Sequence, residues 1–156
     1  GGTQDLLFSV YSLSKQSNLA GYRAAFIAGD PAIMPNLINS RKHAGMIVPA
    51  PIQAAMVAAL SDDTHVQGQK DRYRRRRELL LPAVEKFGLK VEHSEAGLYL
   101  WATAGEDTWR TVDRFAEKGI LIGPGVFYGE QGEGFVRIAL TGSDADITAA
   151  AQRLSK

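Results

Sequence analysis

The chain contains no cysteine. That excludes disulfides and thiolate metal sites and agrees with a reducing, cytoplasmic setting. Charge of one sign is also missing: 18 Lys and Arg against 17 Asp and Glu leave a net charge of +1. No global field therefore argues for nucleic acid or an anionic membrane as partner. No apolar stretch is long enough to cross a bilayer, and no segment reads as a signal peptide. The three histidines, His43, His65 and His93, are scattered without HExxH or paired spacing, so no metal site is expected. There is no internal repeat and no low-complexity tract. What remains is ordinary: 156 residues, 45% hydrophobic and 22% charged, enough for one domain with a real core.

The most informative stretch lies near the start. Leu6-Leu7-Phe8-Ser9-Val10-Tyr11 is short, apolar and partly β-branched or aromatic, and predicts a buried strand. It stops in Ser12-Leu13-Ser14-Lys15, and Gly21-Tyr22-Arg23 follows. Lys15 thus falls just past a strand end, where α/β proteins place ligands. Ser12, Ser14 and Arg23 offer two hydroxyls and a guanidinium fork to a phosphate. An amine beside a phosphate site suggests imine formation with a phosphorylated aldehyde. Such a lysine must be deprotonated part of the time, and partial burial with Arg23 nearby is expected to achieve this.

Farther along, Ala24–Ala28 predicts a second strand, closed by Asp30 as N-cap and Pro31 in a first helical turn. A helix to about His43 follows, then a buried, Ala-rich helix over Ile52–Leu60. A long helix from about Thr64 to Phe87 contains Pro82, which predicts a kink, and ends at Gly88. A domain boundary is placed within it, near Gly68. Beyond it, strands are expected over Leu89–His93, Gly97–Ala102, Ile120–Ile122 and Phe135–Leu140. A helix over Asp107–Lys118 should turn Trp109, Val112, Phe115 and Ala116 inward. A last helix is capped by Ser143 with Asp146 at N3.

Ser-x-Ser-Lys followed by Gly-x-Arg resembles the pyridoxal-phosphate lysine motif of the class I/II aminotransferases. Gly97-Leu98-Tyr99-Leu100-Trp101, Gly123-Pro124-Gly125-Val126-Phe127-Tyr128-Gly129 and Gly134-Phe135-Val136-Arg137-Ile138-Ala139-Leu140 resemble later landmarks of that family, in its order. The wording around Arg41–Met46 and Val48–Met56 is similar to the actinobacterial succinyldiaminopimelate aminotransferases. The fold implied is α/β, the C-terminal part of the aspartate aminotransferase-like fold. Residues 1–67 would be the end of the large cofactor-binding domain, and 68–156 a small α+β domain. The resemblance implies that an N-terminal portion of the enzyme is missing, and with it the groups that grip the cofactor ring. A chain without that portion should expose apolar surface. A homodimer is implied too.

By resemblance, Lys15 binds pyridoxal 5′-phosphate covalently and then moves a proton between substrate Cα and cofactor C4′; the competing role is an exposed loop lysine. Ser12 and Arg23 would hold the phosphate, with Ser14 as a further ligand; for both serines the competing role is turn capping. For Arg23 the competing role is a structural ion pair. Arg137 sits mid-strand in an apolar run, where a charge is costly unless paired. It either clamps a substrate α-carboxylate, as the resemblance implies, or lies on the strand's solvent face. Leu98, Tyr99, Phe127 and Tyr128 line the pocket by resemblance, or simply pack. The basic run Arg72 to Arg77 reads as a salt-bridged helix face, pairing Asp71 with Arg75 and Arg74 with Glu78.

The expected activity is transamination between an amino acid, typically glutamate, and a 2-oxo or oxo acid. N-succinyl-2-amino-6-oxopimelate of lysine and diaminopimelate synthesis is the best acceptor. Alternatives are another class I aminotransferase, a C–S lyase, a non-catalytic ligand-sensing domain of a regulator, or a structural module without cofactor.

Overall fold

A computed structural model describes residues 5–156. The chain divides into two compact units, one ending at Gly68 and one running Gln69–Lys156.

In the first unit, β1 (Phe8–Ser12) and β2 (Ala25–Gly29) pair antiparallel, from Phe8 opposite Gly29 to Ser12 opposite Ala25. Between them lie α1 (Leu13–Gln16) and a 3₁₀ turn over Ala20–Tyr22. Two helices follow, α2 (Met34–His43) and α3 (Ala50–Leu60). Leu13, Ala24 and Met56 form a small core, flanked by Leu19, Val48, Ile52 and Ala59.

Two expectations of burial fail here. β1 starts at Phe8, and all five of its residues are exposed; Val10 is 68% exposed. A two-stranded ribbon has no third strand or second layer to cover its faces. Likewise α3 forms, yet only Met56 of it is buried. Asp30 also acts differently from a simple N-cap. Its carboxylate accepts from Ala32 N at 2.8 Å and Leu6 N at 3.0 Å, tying the hairpin's mouth together ahead of α2. Those two backbone donors hold its carboxyl below the usual carboxylate range.

The second unit is a four-stranded antiparallel sheet in the order β3-β4-β6-β5. Its strands are β3 (Lys90–Val91), β4 (Tyr99–Thr103), β5 (Gly123–Pro124) and β6 (Phe135–Ala139). One cluster holds it together. Leu100 and Ala102 of β4 and Val136 and Ile138 of β6 meet Leu80 and Val84 of α4 (Thr64–Lys86). Phe115 of α5 (Thr108–Glu117) and Ile147, Ala151 and Leu154 of α6 (Asp144–Leu154) complete it. The strict alternation of burial along β4 and β6 leaves Tyr99, Trp101, Phe135 and Arg137 on the opposite face.

Several elements shift from expectation. Ile120–Ile122 is not a strand: Ile120 N closes the end of α5 on Phe115 O, Leu121 is 95% exposed, and pairing begins at Gly123. Leu89–His93 contracts to two paired residues. Trp109 faces outward against the ring of Phe127, and Ala116 is exposed; Thr108 and Thr111 take the buried face of α5 instead. α4 continues as one helix through Pro82. Its arginines do more than make a solvated face. Arg74 pairs with Asp71 at 2.7 Å, while Arg76 reaches Asp144 at 2.6 Å and Leu140 O at 3.0 Å. Arg77 donates to Gly97 O at 2.6 Å. No helix among the described residues is long and apolar enough to cross a membrane.

Candidate functional site

The Lys15 segment is built by short-range bonds around one buried anchor. Leu13, 1% exposed, pins the start of α1. Ser12 caps that helix: its Oγ accepts from Ser14 N at 3.2 Å and donates to Ser14 Oγ at 2.9 Å. Both serines thus stand in the capping arrangement that was the competing role for each. The segment then passes through two left-handed residues, Asn18 (φ 54°) and Arg23 (φ 52°). Asparagine tolerates that region; arginine does so at a cost of roughly 1–2 kcal/mol. The strain at Arg23 is held by its own bonds, since its N–H and its Nη1 both donate to Ala20 O, at 3.3 and 2.9 Å. That carbonyl, and no carboxylate, is its described partner, so the ion-pair role is not seen. Its remaining guanidinium donors meet no partner among the described residues.

Lys15 is exposed, not partly buried as expected. The elements of this chain leave the end of β1 open, for the same reason that β1 itself is uncovered. Its Nζ is engaged by no described group. A free primary amine, two hydroxyls and a guanidinium fork on one twelve-residue segment suit a phosphorylated aldehyde: the amine for the carbonyl, the others for the dianion.

Sequence reasoning passed over His65. Its Nε2 lies 2.9 Å from Ser17 Oγ, and its Nδ1 3.1 Å from Asp62 Oδ2. Asp62 also accepts from Thr64 N at 2.8 Å. The Thr64 backbone and side chain, followed by His65, bring its carboxyl down to about 2. The Asp-x-x-His spacing at a helix start was a visible signal for half of this arrangement. The bond to Ser17, 48 positions away, was not.

In the second unit, Arg137 stands between two rings, 4.1 Å from the Tyr99 centroid and 4.6 Å from that of Tyr128. Trp101 stacks on Phe135 with centroids 5.4 Å apart and meets Tyr128 edge-on. Arg137 therefore lies off the core face, half-buried, with no carboxylate partner among the described residues. Aromatic faces offset part of the cost of burying the cation. A guanidinium fork matches a planar carboxylate, and among the described residues none meets this one. The loop that supplies Tyr128 is fixed by Gly125 and Gly132, packed so closely that a Cβ on either would overlap the other's carbonyl. No group of three or more metal-ligating side chains occurs among the described residues.

The description "Aminotransferase class I and II" matches residues 2–154, and the chain belongs to that family, whose fold is pyridoxal-phosphate dependent. It is 59% identical to the 4-dedimethylamino-4-oxo-anhydrotetracycline transaminase OxyQ of Streptomyces rimosus, over 99% of this chain and 43% of that protein. It is 32% identical to LL-diaminopimelate aminotransferase 2 of a Nostoc species, over 98% of this chain and 40% of the relative. Among solved structures, an aminotransferase from Neisseria meningitidis superposes with a TM-score of 0.87 at 31% identity, covering 97% of this chain and 40% of its own. The fold is thus the aspartate aminotransferase-like α/β fold. The chain spans about two fifths of the length of the curated relatives it matches.

Proposed function

We propose that this chain is the C-terminal part of a transaminase that moves the amino group of a donor amino acid, glutamate first, to an oxo acid. The observation that carries the reading is the unengaged amine of Lys15 within the Ser12–Arg23 donor set, in a chain of this family. Pyridoxal phosphate, when bound, supplies the electron sink for charge released at substrate Cα. Lys15 anchors the cofactor, and as a free amine it takes the Cα proton and returns it elsewhere. Ser12 and Arg23 hold the phosphate, and Ser14 lends its hydroxyl; a hydroxyl rotor turns from a capping partner to a ligand without moving the backbone. Arg137 takes the α-carboxylate. Residues 1–67 are the end of the large domain and 68–156 the small domain, in a cytoplasmic homodimer completed by an upstream portion that also covers the exposed face of β1.

For the acceptor we infer N-succinyl-2-amino-6-oxopimelate, supported by the wording of residues 41–56 and by likeness to a diaminopimelate aminotransferase. A second reading, favoured by the 59% identity to OxyQ, is a ketone on a polycyclic substrate. Turnover of the full-length protein with glutamate and each acceptor separates the two. Activity with neither, alongside bound cofactor, would point to the C–S lyase or ligand-sensing alternatives.

A further inference from the structure

α1 carries Lys15 and is four residues long, too short to hold a direction by itself. Burial of Leu13 fixes its start. Its end is fixed by side chains. Ser17, the residue that closes α1, already uses its backbone N–H on Leu13 O at 3.0 Å, so its hydroxyl is not needed for capping. That hydroxyl instead meets His65 Nε2 at 2.9 Å. His65 Nδ1 meets Asp62, and Asp62 is bonded to the first turn of α4 through Thr64 N.

We propose that Ser17, His65 and Asp62 form a positioning relay that sets the direction of α1 and, through it, of the Lys15 amine. The inference rests on the reading of Lys15 as the cofactor lysine. The residue types follow from the chemistry. A carboxylate can only accept, so it draws the proton of a neutral imidazole to Nδ1. Nε2 is then left as the acceptor for the Ser17 hydroxyl, and one ring orientation satisfies both ends. Asp62, its carboxyl brought down to about 2, stays ionised across the neutral range and remains an acceptor for Nδ1 throughout it. His65 touches neither cofactor nor substrate in this role.

The test uses the full-length protein, stripped of cofactor and titrated with pyridoxal phosphate while visible absorbance and melting temperature are followed. His65→Ala and Ser17→Ala should each weaken cofactor binding roughly tenfold, the effect of one lost hydrogen bond to a well-placed partner. The double variant should be no weaker than either single one, because both remove the same bond. His65→Gln keeps a polar atom near the position of Nε2 and should recover most of the affinity. The relay is overturned if Ser17→Ala and His65→Ala bind cofactor like the parent while only the melting temperature falls, or if their losses add in the double variant. Should His65→Ala not fold, Ser17→Ala and His65→Gln carry the same comparison. Lys15→Ala separates the two claims. If borohydride still fixes the cofactor covalently to that variant, the assignment of Lys15 falls and the relay with it. If it no longer does while the His65 variants change nothing, only the relay falls.

Discussion

Arg23 combines a cost and a use in one residue. Its left-handed backbone, φ 52° and ψ 41°, is one that glycine would adopt freely. Arg23→Gly relieves about 1 kcal/mol of strain, which roughly offsets the added freedom of the unfolded chain. Melting temperature should therefore hold while cofactor affinity falls tenfold to a hundredfold, the scale of lost charge-assisted bonds; calorimetry and a cofactor titration check the pair of outcomes. At Arg137, replacement by lysine keeps the charge but loses the fork and the guanidinium's contacts with the Tyr99 and Tyr128 rings. KM for the amino donor should rise about tenfold with a smaller change in kcat, measured by steady-state kinetics on the full-length enzyme. Both arginines stood out in the sequence, one by its spacing from Lys15 and the other by its place in an apolar strand. The left-handed backbone of Arg23 and the ring contacts of Arg137 did not, because each depends on groups that only the fold brings near.

At the scale of elements, local signals were readable and burial was not. The Ser143–Asp146 reciprocal cap of α6 forms as expected, with Ser143 Oγ accepting from Asp146 N at 3.1 Å. Ser143→Ala should cost about 1 kcal/mol of the second unit's stability, seen as a lower denaturant midpoint. Phe115, fully buried and edge-on to Phe87, is the larger test: Phe115→Ala should cost about 3–5 kcal/mol. Helices α2 to α6 and strands β4 and β6 were legible because periodicity and caps act within a few residues. β1 and α3 read as buried because their composition is apolar, yet burial requires a covering layer, and the described residues leave β1 exposed and cover α3 only around Ile52, Met56 and Ala59. Ile120–Ile122 reads as a strand from its apolar residues, but Ile120 closes α5 through its backbone N–H, Leu121 is exposed, and Ile122 enters the core.

Over the whole molecule, carboxylates are tuned in one direction. Glu106 is held below its ordinary value chiefly by Arg114, Asp144 by Arg76, Asp146 by Ser143, and Asp62 by Thr64. A carboxyl that binds its proton less readily in the folded state adds stability above its unfolded value and loses it as pH falls through the folded one. The ordinary values are 3.8 for Asp and 4.5 for Glu. The melting temperature should thus stay level from neutral pH to about 5 and decline below that, steadily toward the folded value of about 2 at Asp62. A maximum near pH 4 would contradict this. The central claim is that Lys15 holds pyridoxal phosphate. The most direct measurement is the visible spectrum of the full-length protein before and after borohydride, followed by peptide mapping. A yellow band that bleaches, with the reduced cofactor fixed on Lys15, is the result predicted. A colourless protein after incubation with the cofactor, or an adduct on any other lysine, would contradict it.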